Sequence, residues 1–132
     1  VLRLWDGGDR GIVDDKVIAG IPASSFHDGR RMAFGPDGML YVTTGDASRP
    51  ELAQDPGSLA GKIRRVTPEG AVPDDNRFPG STVWFLGHRN PEGLAWHPGT
   101  GGLFASEHGP SGEFGLGGQD EINVLRRGGN YG

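Results

Sequence analysis

Two stretches of this chain repeat one another, and the repeat limits the folds open to it more than any other feature. Met32-Ala33-Phe34 is followed by Gly35-Pro36-Asp37-Gly38 and then by Met39-Leu40-Tyr41-Val42. Leu94-Ala95-Trp96 is followed by His97-Pro98-Gly99-Thr100-Gly101-Gly102 and then by Leu103-Phe104-Ala105. Each copy is an apolar, aromatic run, a turn punctuated by Pro and Gly, and a second apolar run, which is the pattern of a β-hairpin. Hairpin units recurring every few tens of residues are what β-propeller blades look like, each blade being a four-stranded sheet of about 40 to 50 residues. The chain therefore reads as all-β, a partial β-propeller of about two to three blades.

The remaining strands are weaker signals of the same kind. Residues 1–5 and 12–18 read as strands around Asp6-Gly7-Gly8-Asp9, residues 61–67 as a strand ended by Pro68-Glu69-Gly70, and residues 83–86 and 122–125 as two more. Residues 71–80 and 21–30 read as loops. The 25 Gly and 10 Pro among 132 residues, without low-complexity repetition, fit many short strands joined by specified turns. At that blade size the chain is too short to close a propeller, it opens on Val1 and it stops just after a turn. Residues 1–132 are thus expected to be part of a single propeller domain truncated at both ends.

The composition excludes several partners. A net charge of −4 with scattered Lys and Arg gives no basic stripe for nucleic acid. No apolar run approaches the roughly 20 residues of a membrane span, and no signal segment opens the chain. The absence of Cys rules out disulfides and thiolate metal sites. The spacing of His88, His97 and His108 among Pro and Gly matches no zinc signature.

Chemistry-bearing residues gather in the loops. The second hairpin has Arg89 and Asn90 at one end and Glu107, His108, Gly109 and Pro110 at the other, and antiparallel pairing brings both ends to one sheet edge. His27 lies in a loop ahead of the first hairpin, and Asp46 follows Gly45 just after it. A loop imidazole suits a general base and a carboxylate can orient it. Taken alone, though, His27 reads more readily as a surface or turn residue, and Asp46 equally as a turn cap. Arg89 and Asn90 offer a cationic fork beside an amide, or a structural Arg tying loop carbonyls together.

The ordered runs His27-Asp28-Gly29-Arg30-Arg31, Leu40-Tyr41-Val42-Thr43-Thr44-Gly45-Asp46, Leu59-Ala60-Gly61-Lys62-Ile63, Gly87-His88-Arg89-Asn90-Pro91-Glu92-Gly93, Glu107-His108-Gly109-Pro110, Asp120-Glu121-Ile122-Asn123 and Gly128-Gly129-Asn130-Tyr131-Gly132 resemble the soluble aldose sugar dehydrogenases that use pyrroloquinoline quinone. The resemblance covers nearly all of residues 25–132. It implies a central portion of a six-bladed propeller whose top face holds the quinone and a calcium ion. It implies oxidation of an aldose at its anomeric hydroxyl by hydride transfer, an external electron acceptor, and a periplasmic or secreted location.

By the same resemblance His27, in the pattern His27-x-Gly29-x-Arg31, is the general base, contacts the quinone and is oriented by Asp46. Arg89 and Asn90 contact the quinone oxygens. Carbonyls of Gly109 and Pro110 hold the calcium beside the quinone, and the Glu121 carboxylate with the Tyr131 carbonyl forms a second calcium site. Phe26 stands where the glucose-oxidising members carry an acidic residue, which puts glucose as the preferred sugar in doubt. Two other propeller classes stay open: a non-catalytic binding module of the hedgehog-interacting type, typically rich in the Cys that this chain lacks, and a calcium-dependent lactonase.

Overall fold

The computed structural model describes residues 1–112, 115 and 117–132. In chain order its elements are β1 (Leu2–Asp6), β2 (Gly11–Lys16), β3 (Met32–Phe34), β4 (Leu40–Thr44), α1 (Pro50–Gln54), β5 (Lys62–Val66), β6 (Val83–Leu86), β7 (Pro91–Trp96), β8 (Leu103–Glu107) and β9 (Glu121–Leu125). They form three antiparallel sheets: β1-β2, the four-stranded β3-β4-β5-β6, and β7-β8-β9. Each sheet is a meander in which neighbours in sequence are neighbours in space. One complete blade thus lies between parts of two others, and the expected partial propeller is what the chain forms.

The two repeated units open the second and third sheets. In the first, Phe34 pairs with Leu40 around a turn closed by Gly38 N–H to Gly35 O at 2.9 Å, with Gly38 at φ +75° where a side chain would be strained. In the second, Trp96 pairs with Leu103, and the His97 side chain fastens the turn by accepting from the Gly99 and Thr100 amides, both at 3.1 Å. That role accounts for His97 without a metal.

Strands β4 and β5 are buried along their whole length because both faces of the central sheet are covered. On one face Tyr41, Ile63 and Phe85 pack against Leu103, Ala105 and Leu125 of the third sheet, with Trp84, Trp96 and Tyr131 at the margin. On the other, Leu40, Val42 and Val66 pack against Val17 and Ile18. Phe34 of β3 is exposed, as are Leu2, Leu4 and Trp5 of β1.

The helix α1 had no clear signal in the sequence. It begins with Pro50, whose fixed φ suits a first turn. A buried amine holds its other end. Lys62 Nζ donates to the carbonyls of Leu52, Ala53 and Ala60 at 2.7, 2.9 and 2.6 Å, although burial pushes the amine down to about 8. Next but one in β5, Arg64 is fully buried beside Val42, and among the described residues its Nε and Nη1 find no acceptor. Burial pushes this guanidinium down to about 10. An unpaired buried cation costs more than the packing of its stem returns. Arg64→Leu is therefore expected to raise stability by about 1–4 kcal/mol in urea unfolding; a loss would show that the charge is compensated.

Arg65, on the opposite face, is compensated. Its Nε donates to Asp37 at 2.9 Å and its Nη1 to Asp75 at 2.6 Å, and its guanidinium lies 4.8 Å from the Trp84 ring centroid. Although burial opposes it, the bonds from Arg65, the Met39 amide and Tyr41 hold the Asp37 carboxyl below its ordinary value, and the Arg65 bond does the same for Asp75. Both values are depressed on folding, so the stability they contribute is present above the unfolded carboxylate range and is lost as pH falls through the folded values. Thermal unfolding from pH 5 to pH 2 should fall less steeply for Asp37→Asn than for the parent chain; equal slopes would remove Asp37 from the acid response.

Candidate functional site

The site lies where loops of the second and third sheets meet, and close backbone contacts bring them there. Asp46 N–H donates to Arg89 O at 2.8 Å, Gly61 N–H to Gly45 O at 2.8 Å, and Gly29 N–H to Asn90 Oδ1 at 2.7 Å. Position 45 must be glycine, because a Cβ there would stand 1.8 Å from the His27 carbonyl oxygen.

A cavity of about 820 Å³ opens over this junction, lined among others by Phe26, His27, Asp46, Pro50, Arg89 and Pro110. His27 Nδ1 lies 2.9 Å from Asp46 Oδ1. An ionised carboxylate only accepts, so the proton of the neutral ring sits on Nδ1 and Nε2 carries the lone pair. Asp46 is the buried partner, at 3% side-chain exposure, and His27 the outer one at 17%, so the imidazole is the member of the dyad that solvent or a ligand meets.

The cationic side of the cavity is held by Glu107, whose importance sequence reading did not single out. Glu107 is buried at the end of β8, opposite Pro91. Its Oε2 accepts from His88 Nδ1 at 2.8 Å; its Oε1 accepts from the Arg89 amide and, at 3.1 Å, from the Asn90 amide. The His88 ring, also buried, stacks on Tyr131 at 5.2 Å between centroids. With its backbone pinned, Arg89 sends Nη1 to the carbonyls of His108 and Gly109 at 2.9 and 2.8 Å. The two ends of the hairpin do meet at one edge.

Asn90 stands apart from the large cavity. Its Oδ1 accepts from Gly29 and its Nδ2 donates to Glu92 at 2.9 Å, so the amide ties the His27 loop to β7. Gly109, Pro110, Glu121 and Tyr131 share a second, smaller cavity of about 190 Å³, next to the first along Arg89 and Pro110. The Gly109 amide and His108 hold the Asp120 carboxyl below its ordinary value, and those bonds fasten the loop in place. Among the described residues no three His, Cys, Asp or Glu cluster as a metal site. The donors expected here are mostly carbonyls, which such a cluster would not include.

The chain matches the family model described as Glucose / Sorbosone dehydrogenase over residues 7–132. It belongs to that family. It is 38% identical to quinoprotein glucose dehydrogenase B of Acinetobacter calcoaceticus across 88% of its own length and 27% of that protein's. It is 39% identical to an aldose sugar dehydrogenase of Escherichia coli across 80% of its length and 28% of that protein's. Among solved structures it is similar to the quinone-bound form of aldose sugar dehydrogenase from Streptomyces coelicolor, with a TM-score of 0.85 and 46% identity over 95% of this chain and 35% of that one. The chain thus spans under a third of the length of these curated relatives.

Because Glu107 satisfies three donors at once, Glu107→Ala is expected to cost about 1–3 kcal/mol for each group left unpaired. Glu107→Gln should cost less, since its carbonyl oxygen still accepts from both amides. Chemical unfolding of both variants measures this, and equal losses would show that the carboxylate's acceptors do not matter.

Proposed function

We propose that this chain forms the base-and-cation portion of the active site of a dehydrogenase that oxidises aldoses at the anomeric carbon with pyrroloquinoline quinone and calcium. The observation that carries the reading is the His27-Asp46 dyad and Arg89 lining one cavity, with Pro110 beside them. When bound, the quinone supplies the two-electron acceptor that takes the hydride.

The residues of the chain do the rest. His27 Nε2 takes the proton of the anomeric hydroxyl as hydride leaves the carbon, and the sugar is left as a lactone. Asp46 fixes the ring and stabilises the imidazolium that forms. Arg89 presents a cation where an acceptor oxygen gains negative charge. The Gly109 and Pro110 carbonyls at the calcium beside the quinone, and the Glu121 carboxylate with the Tyr131 carbonyl at a second calcium, are all hard oxygens, which suit that ion. The cavity is roomy enough for a drug-sized ligand and more.

Asn90 contacts the quinone beside Arg89 and, through its bonds to Gly29 and Glu92, also holds the His27 loop against β7. Transfer of electrons to an external acceptor and a periplasmic or secreted location belong to the same proposal. Phe26, exposed on the cavity wall, leaves the sugar preference to be measured.

In the complete protein His27→Ala should lower kcat by about 10²–10⁴-fold, the usual worth of a positioned base. Quinone affinity, read by absorbance titration, should change by no more than a few fold. Unchanged turnover would remove His27 as the base.

A further inference from the structure

Among the described residues, only His27, Ala47 and Ser48 adopt positive φ without being glycine, at 59°, 54° and 59°. All three belong to one structural knot at the cavity. The Ala47 amide donates to His27 O at 3.3 Å, and the Ser48 amide donates to Asp46 Oδ1 at 2.8 Å. That oxygen is the one His27 Nδ1 meets. The Ser48 hydroxyl reaches Phe26 O at 3.4 Å, and the Asp46 amide is fixed on Arg89 O.

Left-handed backbone is disfavoured for residues bearing Cβ, and such strain collects where surrounding structure holds it for function. Ala47 is buried, but Ser48 is exposed, so side-chain packing gives no reason for the left-handed conformation at Ser48. What the conformation at Ala47 accomplishes is to turn the Ser48 N–H back onto the Asp46 carboxylate, and the one at Ser48 carries the chain on from that position toward α1. An oxygen that accepts from one donor can swing about that bond; with a second donor the carboxylate plane is set, and with it the ring of His27.

We propose that Ser48 is a positioning residue for the His27 base, acting through its backbone N–H, with the left-handed Ala47-Ser48 turn as the device that aims it. This rests on the reading of His27 as the base, but the positioning itself is observable without turnover. Ser48 is exposed, so its replacement leaves the core intact.

The test compares Ser48→Gly, which accepts positive φ, with Ser48→Val, whose β-branched side chain rejects it, in the complete protein. The first readout is the hydrogen-bonded His27 Hδ1 resonance, by NMR without sugar or quinone. The second is steady-state aldose oxidation. Ser48→Gly should keep the resonance and hold kcat within about twofold, with a melting temperature about 2–4 °C higher as strain is relieved. Ser48→Val should lose or broaden the resonance and lower kcat about tenfold, with KM and quinone affinity unchanged. A Ser48→Val protein with the parent resonance and kcat would overturn the proposal, as would a Ser48→Gly protein that loses both. Should the parent protein show the resonance but oxidise no aldose, the dehydrogenase reading fails while the NMR comparison still decides whether Ser48 positions the ring.

Discussion

The Glu107 carboxylate is the contact on which the rest of the site depends. It stands at the end of a strand, where the sheet no longer supplies partners, and it takes up three donors from the loop that enters the third sheet. Without it the Arg89 and Asn90 amides and the His88 ring N–H would lose their acceptor, an arrangement folded proteins avoid. Once that loop is fixed, Arg89 O is in place to receive Asp46 N–H, and Asn90 Oδ1 to receive Gly29 N–H. One carboxylate of the third sheet therefore sets where the loops that carry His27 and Asp46 rest.

This dependence explains why the site lies between sheets. A propeller blade is flat and twisted, and its own turns at the top carry few groups that converge. Convergence comes from packing one blade against the next, here through Tyr41, Ile63 and Phe85 on Leu103, Ala105 and Leu125. Burial of that apolar surface supplies the non-directional attraction, and the hydrogen bonds at its upper rim choose the register. Lys62 extends the arrangement to α1, whose terminal carbonyls it satisfies from within the blade, so that Pro50 and Ala53 form a cavity wall.

Much of this was legible in the sequence, for physical reasons that differ from element to element. Both repeated hairpins, with their Pro and Gly turns, were readable because turn chemistry is local. The strands at residues 62–66 and 83–86 followed from apolar runs between turn signals. Helix α1 was not readable, being a single short turn whose main tether, Lys62, acts from a strand. The roles of Glu107 and His88 were also out of reach, because a carboxylate at a strand end looks like any solvated residue until the loop it holds is placed beside it. Asn90 is expected at the quinone from the resemblance; that its amide also ties Gly29 of the His27 loop to Glu92 of β7 is a long-range contact that no local pattern encodes. Positive φ at Ala47 and Ser48 left no trace in residue type.

We propose that this junction of two blades oxidises sugar with a quinone held over it. The most direct measurement is aldose-dependent reduction of a dye by the complete protein, with and without added pyrroloquinoline quinone and calcium, across a panel of aldoses. Reduction that requires both additions is expected. Absence of reduction from a folded protein saturated with both, or sugar-independent activity toward lactones without the quinone, would contradict it.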